Sequence, residues 1–315
     1  MTTLVTGASG FLGRHLVAAL VARGDDVRAF VRDGTDARPL EAQGVEVARG
    51  ELADPAALAR AATDCSLVFH LAGIVSHESS RRNELQAVNV EGTRNLLAAV
   101  DAAARVVHVS SVAAVGPAPS PDRPADERQA FPAAAAELPY AATKHAGEAI
   151  ALAAAAAGAD VVVANPGFLL GPGDVHRVST WPVEAYLSGK LRFTTTGGLS
   201  FADVRDVASG LVALAERGRS GERTILTNEA GNCSWSSFFA CIAAVSGVNR
   251  RMVALPLWLA VAGAALVRSP VSPDEIRAAG HWWFYDGAKA RRELGFQARR
   301  LDETIEDTVA ELVSG

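Results

Sequence analysis

The chain has 315 residues, 49% hydrophobic and 21% charged, with a net charge of −5 and a pI near 5.8. That length suits one large α/β domain plus a smaller lobe; the acidic balance gives no basic face for nucleic acid, and no lysine/arginine run in the sequence suggests an anchor to an anionic membrane. Three unpatterned cysteines, Cys65, Cys233 and Cys241, fit a reducing cytoplasm and leave no Cys-rich metal site, and the first residues lack the charged region and cleavage site of an export signal.

Thr3-Leu4-Val5 reads as a buried strand, and Leu12, Leu16, Ala19 and Leu20 recur at helical spacing after it. Between them stands Thr6-Gly7-Ala8-Ser9-Gly10-Phe11-Leu12-Gly13. In a strand–turn–helix unit, Gly7 permits the tight turn, Gly10 lets backbone N–H groups approach a pyrophosphate, and Gly13 lets helix and strand pack closely. Gly7, Ser9, Gly10, Phe11 and Leu12 are therefore expected at a dinucleotide cofactor. Further strands are expected at 26–31, 45–49, 67–71, 106–109 and 161–164, with Ala/Leu-rich crossover helices at 55–62, 84–104 and 141–157. This alternation predicts an α/β, Rossmann-type, doubly wound parallel sheet. Residues 117–139 hold six of the 14 prolines and read as a loop able to cover a substrate.

Ligands of such sheets sit beyond the strand carboxyl ends. Leu71, Ala72 and Gly73 end the fourth strand with room for a cofactor, Ser110-Ser111 end the fifth, and Asn165-Pro166-Gly167 the sixth. The second strand ends Val31-Arg32-Asp33. An acidic residue there binds a ribose 2′-OH, whereas arginine accommodates a 2′-phosphate; Val31 in the acidic position followed by Arg32 favours NADP(H) over NAD(H). Tyr140 and Lys144 lie four apart on a helix and face one ligand. A phenol is a poor acid–base catalyst near neutrality, but an adjacent ammonium stabilises the phenolate. Ser111 can then bond the substrate oxygen while Tyr140 exchanges a proton with it, so Ser111, Tyr140 and Lys144 are the catalytic candidates. His70, His77, His108, His145 and His176 show no metal-ligand spacing and read as structural or surface residues.

With these motifs, and with Asn89-Val90-Glu91-Gly92-Thr93, Gly171-Pro172-Gly173-Asp174, Phe201-Ala202-Asp203-Val204-Arg205-Asp206 and Lys289-Ala290-Arg291-Arg292-Glu293-Leu294-Gly295-Phe296 in this order, the chain resembles the extended short-chain dehydrogenase/reductase (NAD-dependent epimerase/dehydratase) family. The resemblance implies catalysis by Ser111, Tyr140 and Lys144. It implies cofactor contacts from Glu51 and Leu52 at the adenine, from Asn89 and Ser110, and from Pro166 and Gly167 at the nicotinamide. Glu51 departs mildly, since the family usually has Asp there. The acidic pair of nucleotide-sugar dehydratases is replaced by Val112-Ala113-Ala114, and the arginine of nucleotide-sugar epimerases by Leu199-Ser200. An uncharged site is a poor home for a diphosphate. The remainder looks like the dihydroflavonol-reductase and 3β-hydroxysteroid-dehydrogenase-like branch, which includes hopanoid-associated epimerase-like bacterial proteins.

The expected organisation is a dinucleotide-binding domain over 1–168, rejoined by 203–229, and a substrate lobe from 169–202 and 230–315. Trp181, Phe193, Trp235, Phe238, Phe239, Trp258, Trp282, Trp283 and Phe284 fall in that lobe, as core or as walls of an apolar site. Its 13-residue segment Leu255 to Val267 is shorter than the ~20 residues of a spanning helix. It reads as a buried or pocket-lining helix, or as one docking peripherally on a membrane. The Ala-rich helices 84–104 and 141–157 offer the faces on which family members usually form homodimers. The reading that results is an NAD(P)-dependent oxidoreductase interconverting a ketone and a secondary alcohol on a small apolar substrate. A nucleotide-sugar epimerase and a non-catalytic NADP(H)-binding protein are the alternatives.

Overall fold

The computed structural model describes residues 2–266 and 269–314. Seven parallel strands, β1 (Thr2–Thr6), β2 (Asp26–Val31), β3 (Glu46–Arg49), β4 (Cys65–His70), β5 (Arg105–Val109), β6 (Val161–Pro166) and β7 (Arg223–Leu226), form a sheet in the order β7-β6-β5-β4-β1-β2-β3. The winding direction reverses between β1 and β4. A crevice for ligands therefore opens beyond their carboxyl ends.

Both faces of the sheet are covered, so its strands are apolar in consecutive positions. Val5, Phe69, Val107 and Val162 meet the helices Phe11–Arg23 and Val204–Arg217 through Leu16, Leu20, Leu211 and Leu214. Leu4, Val68, Val106, Val161 and Val163 meet Leu58, Leu96 and Ala151 on the opposite face. Local signals set the helix ends. Asp54 accepts from the N–H groups of Ala56 and Ala57 to start the helix Pro55–Ala62, and Gly24, at φ 90°, ends the first helix in the left-handed region.

The expected helix over 84–104 is divided. It runs as a short helix Arg82–Leu85, a π-helical stretch Gln86–Glu91 and a helix Gly92–Ala99, beyond which Val100 is extended. Leu52 presses on this segment at Gly92, where a Cβ would lie 2.7 Å from its side chain. The wider turn brings Asn89 round to the chain beyond β4, a displacement that Ala/Leu periodicity does not signal. β7 was not foreseen as a strand, and the proline-rich segment contains a 3-10 turn, Ala133–Glu137, before the helix Pro139–Ala156.

A smaller sheet pairs Gly198–Asp203 with Phe168–Leu170 and Trp282–Trp283 in parallel and with Asn232–Ser234 in antiparallel. Tyr186, Phe201, Phe238, Phe239 and Ile242 build its core. Tyr285 is buried and its Oη donates to the carbonyls of Val112 (3.0 Å) and Gly116 (2.9 Å), fastening this part to the turn after β5. In the apolar segment the helix spans Leu257–Leu266 and none of its residues is buried, so it is not a core helix; Val267 lies outside the described residues. No described helix is long and apolar enough to cross a membrane.

Candidate active site

At the β1 turn Gly7 has φ 70°, and a Cβ there would lie 2.7 Å from the Ala72 nitrogen; one on Gly13 would lie 2.1 Å from the Gly7 carbonyl oxygen. The turn can close only with glycine at these positions. Gly10 N-caps the first helix without a side-chain cap, leaving its N-terminal dipole and N–H groups directed at the crevice. Ser9 and Phe11 are half-buried and Leu12 is buried there. This is the cradle a pyrophosphate needs, and the donors present fit a dinucleotide.

Across the crevice, Leu71 and Ala72 are tied to β1, the Leu71 N–H donating to the Thr6 carbonyl (3.2 Å) and the Ala72 N–H to Thr6 Oγ1 (3.2 Å). Asn89 clasps the following turn: Oδ1 accepts from the Ile74 N–H (2.9 Å) and Nδ2 donates to the Ile74 carbonyl (3.1 Å). A Cβ on Gly73 would come within 3.1 Å of that Oδ1. Arg32 and Asp33 are exposed beyond β2, and Glu51 is exposed while Leu52 is half-buried beyond β3. Pro166 is buried at the end of β6, and Gly167 accommodates Ser200 O, 2.6 Å from where its Cβ would be.

The structure brings Ser111, Tyr140 and Lys144 together. Ser111 caps the turn after β5, its Oγ accepting from the Ala113 N–H (3.1 Å), and its hydroxyl neighbours the Tyr140 phenol. Burial pushes the Tyr140 phenol up and the Ser111 hydroxyl opposes that shift. The expected depression of the phenol by Lys144 is not what this arrangement gives, because the lysine Nζ donates instead to the Val109 carbonyl (3.1 Å). Lys144 is 9% exposed, and burial lowers its pKa to about 8, against the opposing pull of Glu148.

Sequence reasoning missed Glu148. It lies one turn beyond Lys144, is 1% exposed, and forms an ion pair with Arg223 Nε at 3.0 Å. Asn165 Nδ2 donates both to Glu148 Oε2 (2.6 Å) and to the Ser111 carbonyl (2.9 Å). The carboxylate therefore links the base of β7 to the backbone of the serine. Its spacing after Tyr140 and Lys144, eight and four residues, places all three on one helix face.

Two histidines lie behind the lysine. His70 bonds Thr6 Oγ1 (2.8 Å) and Thr93 Oγ1 (3.2 Å), and burial followed by the Lys144 charge holds it at about 3. His108 packs 5.5 Å from it and is held neutral chiefly by burial. His77, read from the sequence as a structural or surface residue, has its ring edge-to-face with Tyr140 at 5.7 Å. Nothing in the sequence around it signals this. Among the described residues no group of three or more His, Cys, Asp or Glu side chains could hold a metal.

Beside this polar site lies a cavity of about 500 Å³, walled by Trp181, Phe193, Trp235, Phe239, Leu255 and Leu259 among others, with Lys190 and Arg192 as its charged side chains. The expected aromatic residues divide accordingly. Phe238, Trp283 and Phe284 are core, and Trp258 is exposed. None of the three catalytic candidates lines the cavity. The Pro273–Ala279 helix joins the two, since Ile276 and Ala279 line the cavity while Asp274 accepts from the Ser79 N–H (2.9 Å), two residues after His77.

A doubly wound parallel sheet with a glycine turn at its reversal point is the architecture of a dinucleotide-dependent enzyme. The family model described as the NAD dependent epimerase/dehydratase family matches residues 3–227, and the chain belongs to that family, as an oxidoreductase of the extended short-chain dehydrogenase/reductase type. It is similar to sterol demethylase protein B of Methylococcus capsulatus, at 32% identity over 98% of each chain. It is 33% identical to a putative dihydroflavonol 4-reductase of Synechocystis, over 97% of this chain and 92% of that one. Among solved structures, a nucleoside-diphosphate-sugar epimerase from Pseudomonas aeruginosa superposes with a TM-score of 0.82 at 27% identity, over all of this chain and 98% of that one.

Proposed function

We propose that the protein interconverts a ketone and a secondary alcohol on an apolar, polycyclic or lipid-like substrate, with NADP(H) as hydride carrier. The observation that carries this reading is the convergence of Ser111 and Tyr140, with Lys144 one helical turn away, set beside an aromatic-walled cavity. In the proposed reaction a bound nicotinamide supplies or accepts the hydride. Ser111 orients the substrate oxygen, and Tyr140 gives it a proton in the reducing direction. The Val109 carbonyl holds the Lys144 ammonium one helical turn from the phenol, and Glu148 favours the charged form of the lysine.

On this reading residues 1–168 and 203–229 hold the cofactor, through Gly7, Ser9, Gly10, Phe11, Leu12, Glu51, Leu52, Leu71, Ala72, Gly73, Asn89, Ser110, Pro166 and Gly167, while 169–202 and 230–315 hold the substrate. Arg32, exposed beyond β2, supports the choice of NADP(H). Names of relatives that act on sterols or dihydroflavonols support an apolar substrate. One observation favours a second reading. Lys190 and Arg192 put two cations on the cavity, which a nucleotide-sugar epimerase would need.

The test follows loss of reduced-nicotinamide absorbance with NADPH and NADH in parallel, against steroid ketones, flavanonols and aryl ketones, with UDP-sugars assayed for epimers. Turnover of an apolar ketone is expected, with NADPH preferred. Arg32→Ala should reduce that preference about tenfold, as expected for one charged contact to a phosphate. Silence on every ketone with a UDP-sugar epimerised would replace this reading by the second.

A further inference from the structure

Five of the large hydrophobic side chains exposed on this protein, Phe193, Val253, Trp258, Leu259 and Leu266, belong to three adjoining elements of the smaller lobe. Phe193–Thr195 pairs in parallel with Val253–Leu255, setting Phe193 opposite Val253, and the helix Leu257–Leu266 follows directly. That helix has the sequence LWLAVAGAAL, with no polar side chain on any face. One side, through Leu259, Ala260, Gly263 and Ala264, walls the cavity. Elsewhere it leaves Trp258 73% and Leu266 85% exposed. Both a filled interior and a covered exterior would remove apolar surface from water.

Cationic residues border this patch, although the chain as a whole is acidic. Lys190 and Arg192 are the charged residues of the cavity wall. Arg250 reaches across to the Leu187 carbonyl (2.9 Å) beside Gly189, and Arg251 stands two residues before Val253, whose N–H donates to the Arg192 carbonyl (3.0 Å). All four cationic residues are exposed. An apolar helix bearing an exposed tryptophan and bordered by lysine and arginine suits the interface of an anionic lipid bilayer, where the rings and aliphatic chains enter the headgroup region and the cations meet phosphates. A ten-residue helix lies on such a surface and does not cross it.

We propose that the helix Leu257–Leu266, together with Phe193 and Val253, docks this protein on the surface of an anionic bilayer, with Lys190, Arg192, Arg250 and Arg251 against the lipid headgroups. The cavity then opens behind the docked helix. The proposal goes beyond the catalytic reading and does not depend on it, because docking is measured without turnover.

The full chain is sedimented with vesicles of phosphatidylcholine alone and of phosphatidylcholine mixed with phosphatidylglycerol, at low and high salt. Binding to the mixed vesicles, weakened by salt, is expected. Trp258→Ser with Leu266→Ser should weaken it about tenfold or more, from the apolar area withdrawn. Lys190→Glu with Arg192→Glu should do the same, since each lost cation is worth about fivefold and reversal more. Because these side chains are exposed, the variants should keep the wild-type melting temperature and near-ultraviolet circular dichroism. Failure of the wild-type chain to sediment with either vesicle would overturn the proposal. So would a wild-type dimer in size-exclusion chromatography that Trp258→Ser with Leu266→Ser turns into a monomer, since a second copy would then be what covers the patch.

Discussion

The crevice around Tyr140 and the cavity beside it are built in opposite ways. In the crevice, glycines bring backbone to within contact distances that no side chain tolerates, and buried polar groups are tied to one another from Ser111 through Asn165 to Glu148 and Arg223. In the cavity, aromatic and aliphatic side chains line a wide space with few polar groups to fix a ligand's orientation. On the proposed function, directional chemistry belongs to the first region and preference for one substrate body over another to the second, where discrimination rests on shape and apolar area.

The strongest way to separate the two is Tyr140→Phe. Removing the proton donor while keeping the ring should lower turnover about a thousandfold and leave cofactor affinity, read by fluorescence titration, unchanged. Next in size is Gly13→Ala, whose Cβ would stand 2.1 Å from the Gly7 carbonyl oxygen. The helix must move away from the turn, at a cost of about 3 kcal/mol, seen as a melting temperature lower by about 5 °C or more. If the melt were unchanged, the turn would be looser than described.

On the cavity side, Trp181→Ala should raise KM for a bulky apolar ketone about tenfold while leaving turnover of a small aryl ketone nearly as it was. Equal losses on both would mean that the cavity does not hold the substrate's body. The smallest effect is expected from Glu148→Gln. Lys144 titrates at about 8 and Glu148 raises that value, so the ammonium is present below this pH and lost above it. Ketone reduction should then decline as pH rises through about 8. The variant should shift this alkaline limb to lower pH, and a limb that stayed in place would remove Glu148 from any role in the lysine's charge. Loss of the charged partner of Arg223 should also lower stability, read separately in the melt.

The same contrast accounts for what was legible in the sequence. β2 and the helix Pro55–Ala62 have the expected limits, because alternating strand and helix periodicities, Asp54 and the flanking glycines mark them locally. Gly7, Gly10, Gly13, Ser111, Tyr140 and Lys144 were recognisable because backbone geometry and helix spacing constrain residue type. His77 was not, since its place against Tyr140 depends on a turn held by Asn89 and by Asp274 of the distant Pro273–Ala279 helix. The division of 84–104 was hidden for a similar reason, as the segment packs on Leu52 across the fold at Gly92, directly after the π-helical stretch. The short strands of the smaller sheet, two to six residues long, carry too little periodicity to read.

The phenolic clasp of Tyr285 on the carbonyls of Val112 and Gly116 bears on how chimeras of this family can be assembled. A crossover placed between the cofactor-binding and C-terminal parts would inherit a clasp from one parent and its receiving turn from the other. Exchanges that transplant residues 111–116 and 282–285 as a matched pair should preserve the seat of Ser111, whereas those that divide the pair should yield folded hybrids with a displaced serine.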